Sequence, residues 1–237
     1  MNAVNASMKN LLIINPNTTA AVTKRLETLA RQACQDHADF HVVTAPFGAP
    51  YISTEVACAI AGHATWQAWK TWQESTPISV NGVLIGCFGD PGLFAMRESA
   101  GVPVTGLAEA SFLEAEALGP YAIVTGGRAW GPMLKRLAMA LPCGKNLMAI
   151  ETVELDGAAL NANPDLAEQL LADACLNVHR QHAVNSIIIG GAGLAGWTER
   201  LQSRIPVPLI DSVAAGLRRL QSISTSPSPS THLGTSP

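Results

Sequence analysis

The feature that most constrains this chain is a repeat. Residues 80–89 read V-N-G-V-L-I-G-C-F-G and residues 184–193 read V-N-S-I-I-I-G-G-A-G. Each copy is an apolar run that stops at closely spaced glycines, the pattern of a buried strand turning sharply into a helix. Downstream, Val102-Pro103-Val104 and Val207-Pro208-Leu209 follow at nearly the same offset, and each leads into an alanine-rich stretch. A repeat of this length predicts two halves built on one plan. The difference that bears on function is where Cys87 in the first copy becomes Gly191 in the second.

The rest of the chain alternates β-rich runs with helical stretches. Strands are expected at 11–15, 40–45, 80–86, 102–105, 121–125, 147–153, 187–189 and 207–210. Helices are expected from the Pro16-Asn17-Thr18-Thr19 turn to about Cys34, at 54–73, after Pro91, at 107–118, up to Leu141, at 164–182, after Gly193 and at 211–220. Alternation of this kind gives parallel sheets with helices on both faces. The predicted fold is therefore α/β: two similar subdomains, each a mainly parallel sheet flanked by helices, related by a pseudo-twofold. The expected boundaries are an N-terminal extension at 1–9, a first subdomain from 10–105 with 207–221, a second from 106–206, and a disordered Ser/Thr/Pro-rich tail at 222–237.

Composition narrows the partners. The 237 residues are 48% hydrophobic with a net charge of -3. That is ample material for a core and leaves no basic stripe for nucleic acid, so a small molecule is the expected partner. No apolar run approaches the ~18 residues of a membrane span, and the N-terminus lacks a signal-like h-region, so no membrane role and a cytoplasmic location are expected. Five cysteines, an odd number without C-x-x-C spacing, predict free thiols, no disulfide framework and no metal site. Trp66, Trp69 and Trp72 recur along one helix and predict a core or subunit-contact face, hence a homo-oligomer. His179 and His182, one turn apart without an acidic or cysteine partner nearby, read as a solvated helix end rather than a metal site.

Ligands of such folds sit at the carboxyl ends of strands. The turns at Asn15-Pro16-Asn17-Thr18, Phe88-Gly89, Thr125-Gly126-Gly127 and Ala192-Gly193 would present backbone N–H groups and helix N-termini to one carboxylate or imide. The same positive helix end is expected to lower the Cys87 pKa below the ~8.5 of a free thiol, giving a thiolate able to move protons. The plainer reading of Cys87 is a buried, inert cysteine. Asp90, just before a proline, reads either as an N-cap or as a support of the Cys87 loop. A competing motif is G-x-G-x-x-G at 191–196 with Asp211 about twenty residues on. Its place as the second copy of a repeat whose first copy carries cysteine argues against a dinucleotide site.

Four segments carry a resemblance: I-I-N-P-N-T-T at 13–19, G-C-F-G-D-P-G-L-F-A-M-R-E at 86–98, V-P-V-T-G-L-A-E-A at 102–110 and V-P-L-I-D-S-V-A-A at 207–215. Together the chain resembles the aspartate/glutamate/hydantoin racemase superfamily, and within it the hydantoin and allantoin racemases. The resemblance implies a cofactor-independent enzyme acting on a hydantoin, an amino acid or a related acid, with two cysteines on opposite faces of a stereocentre. Carried over by position, it makes Cys87 the first cysteine. It makes Asn15, Ser53, Thr54, Phe88, Thr125, Gly126, Gly191 and Ala192 substrate-binding. Where the family motif reads G-C-A-G-M, this chain has G-G-A-G-L, and glycine can neither take nor give a proton. The expected function is an isomerase of the hydantoin/allantoin racemase type with Cys87 as its single remaining cysteine acid/base. The alternatives are a one-cysteine decarboxylase or lyase on a malonate-like acid, and a catalytically weak ligand-binding relative.

Overall fold

The computed structural model describes residues 8–33, 38–155, 160 and 162–224. Cys34, most of the N-terminal extension and the tail from 225 onward lie outside the described residues. Among the described residues the apolar runs form eight strands that make two four-stranded sheets, every pairing parallel. The first sheet holds β1 (Lys9–Asn15), β2 (Ala38–Thr44), β3 (Gly82–Ile85) and β4 (Val104–Gly106), in the order β2-β1-β3-β4. The second holds β5 (Tyr121–Gly126), β6 (Leu147–Val153), β7 (Ser186–Gly190) and β8 (Leu209–Asp211), in the order β6-β5-β7-β8. The two orders are the same order, as the sequence repeat requires. In register, Ile14 lies beside Ile85 in the first sheet and Val124 beside Ile189 in the second.

The helices are α1 (Ala20–Ala33), α2 (Glu55–Ser75), α3 (Leu93–Ser99), α4 (Leu107–Glu116), α5 (Trp130–Ala140), α6 (Pro164–Gln181), α7 (Trp197–Leu201) and α8 (Ser212–Ile223). Helices α4 and α8 tie the halves together. Helix α4 leaves the first sheet and packs against β7 and α8; α8 leaves the second sheet and packs against β3, β4 and α1. This corrects the expected boundary: residues 209–211 complete the second sheet, and only the helix that follows returns to the first. Ser222 and Ile223 continue α8 rather than opening a tail.

Strand alternation divides the core. Leu11, Leu12, Ile13 and Ile14 are wholly buried, and each such side chain contributes roughly 1.5–3 kcal/mol of burial. In the second sheet Ile123 and Ile188 join that first core, whereas Ala122, Val124, Ile187 and Ile189 face a second core closed by α6 and α7. Trp69 is buried, and Trp66 and Trp72 pack on the first core, so part of the tryptophan stripe serves packing.

Candidate functional site

The chain order of each sheet reverses direction around its central pair, β1 with β3 and β5 with β7, the place where open α/β sheets leave a crevice. The carboxyl ends of those strands line one cleft of about 460 Å³. Asn17 and Thr19 reach it after β1, Gly86, Cys87 and Phe88 after β3, Thr125 and Gly126 at the end of β5, Gly190 at the end of β7, and Gly191 to Gly193 after it. Both lobes therefore contribute to a single site.

The turn after β3 is held tightly. The Asp90 N–H donates to the Cys87 carbonyl at 3.1 Å, and the Gly89 N–H points to the Cys87 sulfur. Two close approaches lock this turn to the other lobe. A Cβ added at Gly89 would lie 2.4 Å from the Trp130 ring, and one added at Gly190 would lie 2.1 Å from the Phe88 ring. Only glycine permits either contact. Phe88 also meets Phe112 edge-on, with ring centroids 6.2 Å apart.

Cys87 is half-buried and faces the cleft. Its thiol departs from expectation in sign: burial pushes the pKa up rather than down, and Cys58 and Asp90 add to the rise against the opposing Gly89 N–H. Desolvation of a thiolate outweighs one backbone donor and a short helix. Burial thus favours the thiol form of Cys87 over the thiolate.

On the other lobe Gly191 takes the position that Cys87 occupies on the first. Its φ of 126° and ψ of 136° are open to glycine and strained for other residues. A Cβ built there meets only Thr125 Oγ1, at 4.0 Å, so the glycine leaves room rather than making a close contact. The turn is pinned by the Gly191 N–H donating to Ser212 Oγ at 3.0 Å. The Thr125 hydroxyl donates to the Gly190 carbonyl at 2.7 Å.

Of the residues expected here, Cys87, Phe88, Thr125, Gly126, Gly191 and Ala192 line the cleft, and Asn15, Ser53 and Thr54 do not. Asn15 is fully buried behind it, its amide donating to Asn17 Oδ1, the Thr19 carbonyl and Thr23 Oγ1. It shapes the turn that carries Asn17 and Thr19. Thr54 caps α2 by accepting from the Ala57 N–H at 3.1 Å. The cleft also contains residues that the sequence reading did not select: Asn17, Thr19, Arg25, Tyr51, Ile52 and Trp130. Asn17 and Thr19 belong to the flagged P-N-T-T turn, and their proximity to Asn15 was the available signal. Nothing in the local sequence marks Trp130 or Arg25. Among the described residues Arg25 is the one charged side chain lining the cleft, and it donates to the Ala195 carbonyl of the other lobe at 2.7 Å.

The G-x-G-x-x-G segment serves the fold. The five-residue α7 follows it, and Asp211, which a dinucleotide site would aim at a ribose, accepts from the N–H groups of Gly196, Val213 and Ala214. Among the described residues no three His, Cys, Asp or Glu side chains gather as a metal site.

Comparison with known proteins places this geometry. The profile of the family described as Asp/Glu/Hydantoin racemase matches residues 11–220. A hydantoin racemase from Pseudomonas sp. (strain NS671) is 28% identical, over 89% of this chain and 84% of that protein. Allantoin racemase from Klebsiella pneumoniae superimposes with a TM-score of 0.83 at 28% identity, covering 92% of this chain and 88% of the other. Arylmalonate decarboxylase shares the fold, with a TM-score of 0.61 at 17% identity over 91% of this chain and 92% of that one.

Proposed function

From the premise that the chain belongs to the Asp/Glu/hydantoin racemase family, we propose that it is a cofactor-independent isomerase of the hydantoin/allantoin racemase type. Its substrate carries an acidic C–H next to a carbonyl, and Cys87 is its single cysteine acid/base. The observation that carries this reading is the asymmetry of the cleft: a thiol at the end of β3, and at the matching turn after β7 a glycine with empty space beside it.

The chemistry follows from that asymmetry. With the carbonyl oxygens of the ligand against the turn N–H groups, the enolate that forms on loss of the proton is stabilised where its charge develops. Cys87 as thiolate takes the proton on one face, the C–H bond breaking as S–H forms. The returning proton comes either from the same thiol, which restores the starting enantiomer, or from water in the space beside Gly191, which inverts it. The hydroxide that water leaves is then neutralised by the proton that the Cys87 thiol gives up to solvent, which restores the thiolate. Because burial favours the thiol, the thiolate is scarce at neutral pH, and proton abstraction is the demanding step.

One observation supports a second reading. A thiol held protonated is suited to quench a carbanion left when a malonate-like acid loses carbon dioxide, and the shared fold with arylmalonate decarboxylase is compatible with that lyase reaction. A substrate panel separates the two. Hydantoins, allantoin, amino acids and arylmalonates are incubated in deuterated water with wild type and Cys87→Ser, following optical rotation, deuterium uptake and carbon dioxide release. Cys87-dependent deuterium exchange on a hydantoin supports the isomerase, and carbon dioxide release supports the lyase. Turnover that survives Cys87→Ser intact defeats both.

A further inference from the structure

Asp90 follows Cys87 by three residues and has a φ of 46°, the only non-glycine residue with positive φ among the described residues. A side chain in the left-handed region persists only where its surroundings hold it there. The carboxylate is what holds it. Asp90 is 3% exposed; its Oδ1 accepts from the Ala108 N–H at 2.9 Å and its Oδ2 from the Glu109 N–H at 2.8 Å. These are free N–H groups in the first turn of α4, whose own N-cap, Gly106, supplies no side-chain bond. Asp90 thus caps not the helix that follows it but one that begins seventeen positions later. Gly106 is fitted to this contact, since a Cβ there would fall 2.2 Å from the Asp90 carboxyl carbon. Helix α4 in turn packs on β7, the strand that ends at the Gly191 turn.

We infer that Asp90 is the positioning residue of Cys87: its carboxylate ties the thiol-bearing turn to α4, and through α4 to the opposite wall of the cleft, and keeps a buried carboxylate in the same turn as the sulfur. The inference rests on Cys87 being the acid/base group. The other groups around Asp90 are Glu109 on α4, Arg97 on α3 and Cys58 on α2, with Cys143 also sensing its charge. Arg97 is itself paired with the Glu109 carboxylate, which also accepts from Thr105 Oγ1 at 3.0 Å. Burial lifts the Asp90 carboxyl to about 7 against the pull of the two N–H groups, so its charge, which disfavours the Cys87 thiolate, is present above neutrality and fades below it.

The test reads Cys87 directly and needs no substrate. Site-resolved alkylation of Cys87 by iodoacetamide, followed by peptide mass spectrometry, is run between about pH 6 and 10 on wild type and Asp90→Asn. Asparagine tolerates the left-handed backbone as aspartate does, so the variant removes the charge while keeping the backbone conformation, and its amide oxygen accepts from one of the two α4 N–H groups rather than both. The expected result is a variant-to-wild-type alkylation ratio that rises from near 1 at about pH 6, where Asp90 is protonated, to about 3- to 10-fold above neutrality, where it is charged. Simple loosening would raise the rate by the same factor at every pH, a result that overturns the electrostatic part of the inference. A variant profile that superimposes on wild type overturns the inference. Wild type alone supplies a second check should the variant not fold. Its profile is expected to bend near neutrality as Asp90 titrates, and a clean single ionisation overturns the coupling. Turnover retained in Cys87→Ser would defeat the acid/base role of Cys87 instead, and would leave the alkylation result standing.

Discussion

The Gly191 position allows chemistry and backbone energetics to be measured separately. Gly191→Cys and Gly191→Ala both place a Cβ where φ is 126° and ψ is 136°. The nearest atom to that Cβ is Thr125 Oγ1 at 4.0 Å, so crowding adds nothing and the cost is that of the backbone, about 1–3 kcal/mol. For a chain of this size each kcal/mol lowers the thermal midpoint by roughly 2–4 °C, so both variants should melt about 2–12 °C below wild type and close to each other. The difference between them is then the thiol alone. A positioned proton donor or acceptor contributes about 10²–10⁴ in rate, so Gly191→Cys should racemise a hydantoin about 10²-fold or more faster than Gly191→Ala. The assay follows optical rotation and deuterium uptake for each enantiomer. Wild type should take up deuterium faster than it loses rotation, whereas the cysteine variant brings the two rates together. The backbone reasoning fails if Gly191→Ala is as stable as wild type. The assignment of Gly191 to the vacant face fails if the cysteine variant racemises no faster than the alanine one.

Other expectations follow from single contacts. Gly190→Ala forces a Cβ to within 2.1 Å of the buried Phe88 ring, an overpacking cost of about 1–3 kcal/mol that thermal or urea unfolding would register together with lower turnover. Cys87→Ser should lose deuterium exchange by about 10² or more while its thermal midpoint scarcely moves, because the side chain is only half-buried; undiminished exchange would contradict the acid/base role. Arg25→Gln should raise KM about tenfold for anionic ligands and leave neutral ones unchanged, as steady-state kinetics on a carboxylate-bearing and a neutral hydantoin can show. Stability should fall with rising alkaline pH. Burial holds Cys143 at about 11 and Cys175 at about 12, above their unfolded value of 9.0, so the unfolded chain releases protons first. Their contribution is complete below about pH 9 and is lost upward through those values, at up to about 1.4 kcal/mol per pH unit for each group; a flat urea midpoint across that window would contradict it.

Much of the site was legible in the chain because the relevant signals are local. An apolar run ending in glycine marks a strand end, and a repeat of such runs marks two of them; that was enough to select Cys87, Phe88, Thr125, Gly126, Gly191 and Ala192 for the cleft they line. Asn15 shows the limit of that logic. A polar residue at a strand end can face the ligand or the turn behind it, and the choice depends on which acceptors the following residues fold back to supply, here Asn17, Thr19 and Thr23. Trp130 and Arg25 carry no pattern at all: Trp130 reaches the cleft only because the second lobe is docked against the Cys87 turn, and Arg25, on α1 of the first lobe, is held at the cleft by the Ala195 carbonyl of the second.

The amino-acid order by itself determined two parallel sheets of one plan and a thiol on one side matched by a glycine on the other, because strand periodicity and glycine turns act between near neighbours. Tertiary structure alone decided the protonation of that thiol and the task of Asp90. Desolvation sums over all surrounding atoms, and the N–H groups that Asp90 satisfies belong to a helix that folding, not sequence proximity, brings beside it.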